Sequence, residues 1–214
     1  MALPARYDAA TMSHPTLHDL PNPLLVMALP LESQGIFERA NIPVLYTGVG
    51  KVNAAYALTR RLAAYAHAGA PMPQVINFGT VGSRVHATGT VLECHAFVQR
   101  DMDVSGLGFA LGVTPLEDEI PARLEFPPMF EHLPRGVCGS GDSFVIVQGA
   151  VECDVVDMEG YALAKVCWFE RAPFTAVKYV TDGADHAAGD DWRTNTKLAA
   201  EHFLGVYERF LRKT

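Results

Sequence analysis

Phe174-Thr-Ala-Val-Lys-Tyr-Val-Thr181 is a near-continuous β-branched and aromatic run that passes straight into Asp182-Gly-Ala-Asp185. A run of that kind marks a strand buried on both faces of a parallel sheet. Upstream, Val155-Val-Asp-Met-Glu-Gly160 repeats the arrangement, a short apolar strand ending in carboxylates. In an open α/β sheet ligands bind beyond the carboxyl ends of the strands. The two acidic strand ends therefore predict a site for polar chemistry.

Working outward, further short apolar runs predict strands over residues 24–28, 44–47, 74–78, 90–98, 145–148 and 154–156. Between them lie helical patterns. Residues 51–67 place Ala55, Leu58, Leu62, Tyr65 and Ala66 on one stripe, residues 158–170 continue an apolar helix, and residues 193–212 carry Leu198, Phe203, Val206, Tyr207, Phe210 and Leu211 inward. This alternation predicts an α/β fold: a single-domain, three-layer α/β/α architecture with a mixed, largely parallel central sheet. Residues 1–22, broken by Pro4, Pro15 and Pro21, read as an irregular N-terminal extension, and residues 23–214 as the domain. Over residues 106–141, Gly, Pro and mixed charges erase any period.

Composition limits what the site can serve. The 214 residues, 49% hydrophobic and 19% charged, suffice for one sizeable core. A formal net charge of −7 argues against nucleic acid or an anionic membrane as partner, leaving a small molecule. The four cysteines, Cys94, Cys138, Cys153 and Cys167, fall singly, so neither a zinc site nor a disulfide framework is signalled. Reduced thiols point to the cytoplasm. The apolar stretch 24–31 follows Asp8 and Asp19 against a single Arg6, which is not the positive start of a secretory leader. No run reaches the roughly 18 apolar residues of a membrane span.

Several motifs fail on inspection. Gly48-Val-Gly-Lys51 has Val52 where a phosphate-binding loop needs Ser or Thr, and Leu45 where it needs its first Gly. Asp101-x-Asp103-x-Ser105-Gly106 opens like a calcium loop but meets Gly112 where a bidentate Glu is required. Gly139-Ser-Gly141 lacks the third Gly of a dinucleotide turn, and no G-x-S-x-G elbow occurs. Neither a metal nor a cofactor is expected. The histidines carry no pattern, and a lone His such as His86 or His95 reads as structural.

Taken in order, seven segments resemble the nucleoside phosphorylase and nucleosidase superfamily, and within it the 5′-methylthioadenosine/S-adenosylhomocysteine nucleosidases. They are Met27-Ala-Leu-Pro-Leu-Glu32, Gly48-Val-Gly-Lys-Val-Asn-Ala-Ala55, Asn77-Phe-Gly-Thr-Val-Gly82, Asp101-Met-Asp-Val-Ser-Gly-Leu-Gly-Phe109, Ser140-Gly-Asp-Ser-Phe144, Val156-Asp-Met-Glu-Gly160 and Thr181-Asp-Gly-Ala-Asp185. The likeness runs from residue 24 to residue 211 and implies a nucleoside phosphorylase-like fold and cleavage of an N-glycosidic bond. Such cleavage builds positive charge on the ribose and negative charge on the departing base, so it calls for an acid at the purine and an activated nucleophile at C1′.

The resemblance implies Asp182 as the acid at purine N7 and Glu32 as the base that takes a proton from water. The division of labour matches two-carboxylate glycoside hydrolysis. It implies Glu159 as the ribose binder, Met158 against the sugar, Phe144 stacked on the purine with Val145 backbone groups at its edge, and Thr80, Val81, Gly82 and Thr181 close to sugar and base. Leu107 and Phe109 match positions that reach into a neighbouring subunit's 5′ pocket, which implies a homodimer. Asp157 and Asp185 read as structural, and Asp101 and Asp103 as turn formers. Taken singly, each strand-end carboxylate is more often a cap or a turn residue than a catalyst.

Phosphorolysis would need Arg or Lys near the sugar to neutralise a dianion. Asn77 stands where the phosphorylases commonly place Arg, and no Arg or Lys falls between residues 24 and 38, so water is the favoured nucleophile. A phosphate-dependent phosphorylase of the same fold and a catalytically inactive nucleoside-binding protein stay open as alternatives. The chain departs from the family pattern at Thr80-Val81 (usually Ser-Ala), at Asp157 (a Glu) and at Gly160 (a small methyl-bearing residue). It is also shorter over residues 110–139 and has no Phe over residues 186–194 to close on the 5′ group.

Overall fold

The structure, a computed structural model, describes residues 20–145, 149–185 and 188–212. Among these described residues eight strands form one sheet: β1 (Leu24–Met27), β2 (Val44–Tyr46), β3 (Val75–Gly82), β4 (Val91–Gln99), β5 (Arg123–Glu125), β6 (Arg135–Ser140), β7 (Val155–Asp157) and β8 (Phe174–Asp182). Among the described residues, five α-helices accompany it: α1 (Pro30–Ser33), α2 (Ile36–Arg39), α3 (Lys51–His67), α4 (Gly160–Glu170) and α5 (Ala188–Leu211).

Side chains of β1 alternate between two cores with the period of two that a pleated strand imposes. Leu24 and Val26 join Leu58, Leu62 and Tyr65 of α3 and Leu163 and Cys167 of α4 on one face. Leu25 and Met27 join Phe37 of α2 and Ala199, Phe203 and Val206 of α5 on the other. Full burial of each large side chain contributes roughly 1.5–3 kcal/mol, and both faces of the sheet are covered. The expected three layers and the largely parallel, mixed sheet are therefore present. β2, β1, β3 and β8 run parallel in that spatial order, and β4, β6 and β7 form a second parallel set.

The two sets meet twice. β4 pairs antiparallel with β8, and β7 crosses the end of β3 antiparallel with Val156 opposite Gly82. The sheet thus curls until strands of both sets end near one another, a closure that periodicity alone did not indicate.

Most elements fall where the sequence placed them, and α3 matches to the residue. The differences are physical. Residues 106–141 hold two strands that the pattern hid, β5 and β6, with β6 between β4 and β7. β6 contains Gly139 because a Cβ there would lie 2.5 Å from Cys153 Sγ. Packing removed the side chain on which propensity depends. In α5, Phe203 and Val206 are buried as expected and Tyr207 and Phe210 pack against the same core, whereas Leu198 and Leu211 are exposed and Thr196, Ala199 and Ala200 are buried. α5 also begins at Ala188, five residues before the expected start. In α3, Ala54 is buried, Ala55 only half-buried, and Ala66 exposed.

The expected strand 145–148 lies outside the described residues beyond Val145, as does the extension over residues 1–19. Its last residues are tied down: Tyr65 Oη donates to the Pro21 carbonyl, and Asn22 Oδ1 accepts from Gln74 N at 3.1 Å. No helix among the described residues is long and apolar enough to cross a membrane.

Candidate active site

The turn after β1 is the first wall of the site. Pro30 opens α1 with its fixed φ, and Glu32 folds back so that Oε2 accepts from Ala28 N (3.0 Å) and Leu29 N (3.1 Å), satisfying donors a helix start leaves unpaired. Glu32 Oε1 reaches across to β3, where it accepts from Thr80 N at 2.9 Å and Thr80 Oγ1 at 3.2 Å. Both carboxylate oxygens are thereby fixed by donors, and the group stays buried.

The second wall is the end of β8. Asp182 is buried, with Oδ2 accepting from Thr181 Oγ1 at 2.8 Å and Oδ1 from Ala184 N at 3.0 Å. Burial raises its carboxyl above the ordinary value, and the charges of Asp191 and Asp185 act in the same sense. Gly82 is what lets it sit there, since a Cβ at that position would come within 2.6 Å of Asp182 Oδ1.

The end of β7 supplies the third wall. Glu159 Oε1 accepts from Gly50 N at 2.7 Å, which joins the turn before α3 to the start of α4. Burial, reinforced by the Asp157 charge, pushes the Glu159 carboxyl up to about 8. Asp157 also lines the cavity. Its Oδ2 meets Lys178 Nζ at 2.8 Å, and its Oδ1 accepts from Ser140 Oγ. Burial opposes ionisation of Asp157, but Lys178 and these hydrogen bonds hold it below the usual carboxylate range. Lys178 also donates to Asn77 Oδ1 at 2.6 Å, and Asn77 Nδ2 donates to Val26 O at 3.1 Å. One polar cluster thus ties together β1, β3, β6, β7 and β8 beside the site.

These walls enclose a cavity of about 400 Å³, within the range that holds a small organic ligand. Glu32, Thr80, Val81, Gly82, Phe144, Val145, Met158, Glu159 and Asp182 all line it. Thr181 stands behind it, holding Asp182. Leu107 and Phe109 do not line it: Leu107 is 76% exposed on the 3-10 turn Ser105–Leu107, and Phe109 is half-buried. Asp101 accepts from Lys51 Nζ (2.5 Å) and Asp142 N (2.8 Å), and so ties the start of α3 to the segment bearing Phe144. Asp103 caps its own turn through Ser105.

Sequence reasoning missed three participants. Lys178 was visible as a lone cation in an apolar strand, a placement that requires a buried partner. Arg100 lines the cavity beside Phe144 and donates to the Gly141 and Ser143 carbonyls. Trp192 also lines it and donates its indole N–H to Thr80 Oγ1 at 3.1 Å. Where no Phe was found to close this side, a Trp on the first turns of α5 stands instead.

The arrangement offers a buried, raised carboxyl, a carboxylate fixed by four donors, a third carboxyl on the same cavity and an aromatic ring in its lining. It can bind a polar, ring-bearing molecule and move protons on two sides of it. Residues 33–212 match the model of the phosphorylase superfamily. The chain is similar to a protein of Marinomonas sp. named 5′-methylthioadenosine/S-adenosylhomocysteine nucleosidase, 29% identical over 83% of this chain and 84% of the relative. It is also similar to the aminodeoxyfutalosine nucleosidase of Helicobacter pylori, at 26% over 73% and 74% of the two chains. In fold it matches the crystal structure of a Helicobacter pylori 5′-methylthioadenosine/S-adenosylhomocysteine nucleosidase with butyl-thio-DADMe-Immucillin-A. That match has a TM-score of 0.78 at 21% identity and covers 91% of this chain and 99% of the other.

Proposed function

The chain belongs to the phosphorylase superfamily, and on that premise we propose that it is a purine nucleoside hydrolase, cleaving the N-glycosidic bond of 5′-methylthioadenosine, S-adenosylhomocysteine or a related nucleoside to release the free base. The observation that carries this reading is the convergence of Glu32, Glu159 and Asp182, far apart in the chain, on one cavity.

Asp182 is the acid. Its buried, raised carboxyl can carry a proton towards purine N7 as negative charge builds there, which a solvated Asp would not do at neutral pH. Glu32 is the base. Held by Ala28, Leu29 and Thr80, it presents a fixed acceptor to a water approaching C1′. Glu159 takes the ribose hydroxyls, Met158 lies against the sugar, and Phe144 covers the purine, with Val145, Thr80, Val81 and Gly82 completing the slot.

Water as the nucleophile is supported by the disposition of cations. Of those lining the cavity among the described residues, Arg100 is bonded to the 141–143 segment and Arg193 reaches Asp190 at 3.4 Å on the exposed rim. Lys178 is engaged by Asp157 and Asn77 beneath the floor.

Two further elements belong to the proposal. Reduced thiols, which all four cysteines are, suit the cytoplasm. A homodimer accounts for the exposed Val52 and Tyr56, one turn apart on α3 just beyond Val49 at the cavity wall, and for the exposed Leu107.

Replacement of the acid tests the assignment. Asp182→Asn should lower base release by about 100- to 10,000-fold without unfolding the chain, because the amide is nearly isosteric but has no carboxyl proton to give. Glu32→Gln should do the same while nucleoside binding remains measurable by calorimetry. Undiminished turnover in either variant would remove that residue from its role.

A further inference from the structure

The hydrogen bonds around Glu32 do not end at Thr80. Trp192 donates its indole N–H to Thr80 Oγ1 at 3.1 Å, and Thr80 Oγ1 stands 3.2 Å from Glu32 Oε1. An indole nitrogen can only donate, so the Thr80 hydroxyl accepts from Trp192 and has its own proton left for Glu32. The direction of the chain is therefore fixed, from Trp192 through Thr80 to the carboxylate. A hydroxyl that accepts one hydrogen bond becomes a better donor in the next.

The element that supplies the indole is anchored on the acid side as well. Three residues further along the same face of α5, Asn195 Nδ2 donates to the Thr181 carbonyl at 2.8 Å, next to Asp182. Thr196 Oγ1 bonds back to the Trp192 carbonyl at 2.6 Å. The first turns of α5 thus touch the neighbour of each carboxyl proposed to act in the reaction, and they do so with two side chains on one helical face.

We propose that Trp192 is a positioning residue, which through the Thr80 hydroxyl orients Glu32 towards the attacking water and makes that carboxylate's geometry depend on the seating of α5. The inference rests on Glu32 being the base. It gives a physical reason for a hydroxyl at position 80, which relays, and for Trp at 192, since an aromatic ring without a donor would not continue the chain. Glu159, Asp157 and Lys178 flank Glu32 on the side of the β7 end and the sheet floor, and Asp190, Asp191 and Arg193 flank Trp192 on α5.

The test uses the full-length protein with a purine nucleoside as substrate. Trp192→Phe keeps the ring and removes the donor; Thr80→Val keeps the shape and removes the relay; Thr80→Ser keeps the relay. Misplacement of a reacting group costs up to about 100-fold, so Trp192→Phe and Thr80→Val should each lower kcat by roughly 10- to 100-fold with KM little changed. Thr80→Ser should lose less kcat than Thr80→Val, because its hydroxyl still relays. The double variant Trp192→Phe/Thr80→Val should be no worse than Thr80→Val alone, because one chain has been cut twice. The Trp192 indole N–H resonance, identified by its loss in Trp192→Phe, should move in both Thr80→Val and Glu32→Gln.

Unchanged kcat in Trp192→Phe, a loss confined to KM, or multiplying effects in the double variant would overturn the positioning role while leaving the hydrolase reading standing. A wild-type protein that releases no base would overturn that reading, and this proposal with it.

Discussion

Glu159 shows how one buried carboxyl can prepare a site for its ligand. Its carboxyl is pushed up to about 8, chiefly by burial and then by Asp157, so at pH 7 the protonated form is favoured. Ribose hydroxyls that donate to it favour the ionised form and lower that value. The sign follows: nucleoside binding at pH 7 should release up to about one proton from Glu159, and the release should vanish as the pH rises past the free value of about 8. Calorimetry of Asp182→Asn, whose turnover should be slow enough to isolate binding, in buffers of different ionisation enthalpy measures this. A binding enthalpy independent of buffer at pH 7 would mean that Glu159 is already ionised. Asp182 works in the opposite role, since its raised carboxyl is useful while protonated, so the acid's contribution should fade as the pH rises.

The elements are held in register by polar groups under the cavity as much as by the apolar layers. Lys178 of β8 pairs with Asp157 of β7 at 2.8 Å, both buried. Removing one member of a buried pair leaves an uncompensated charge, so Lys178→Met should destabilise the fold by about 3–5 kcal/mol at neutral pH in denaturant titrations. Asp157 is depressed in the folded state. Its contribution is present above the unfolded carboxylate value and lost as the pH falls through the lower folded one, so the gap between wild type and Lys178→Met should narrow in acid. An unchanged midpoint at pH 7 would show that the pair does not support the sheet.

How much of this could be read beforehand varied by element. α3 was legible to its ends because a Gly-x-Gly turn precedes it and an apolar stripe runs its length. The ends of β7 and β8 were legible because carboxylates follow apolar runs. β6 was not, because Gly139 makes room for Cys153 and leaves no side-chain pattern. Trp192 was hidden for a different reason: its role depends on a hydrogen bond to β3 across 112 positions of sequence, and no local period encodes that.

At the scale of the whole molecule, the cavity opens beside apolar surface that a monomer leaves in water. Val52 is 77% exposed, Tyr56 61% and Leu107 76%. Covering them in a dimer would bury aromatic and branched side chains of the kind that anchor interfaces. Val52→Asp combined with Tyr56→Glu should shift the protein to monomer in sedimentation equilibrium and reduce turnover, whereas a wild-type protein already monomeric would exclude the dimer. On the proposed reading, the whole chain is a frame that brings three distant carboxyls to one cavity, where a nucleoside and water would meet. The most direct measurement of that claim is the product analysis of 5′-methylthioadenosine incubated with the protein in the presence and absence of inorganic phosphate. The account predicts free adenine and free methylthioribose at the same rate in both conditions. Turnover that requires phosphate and yields the sugar 1-phosphate, or no adenine at all, would contradict it.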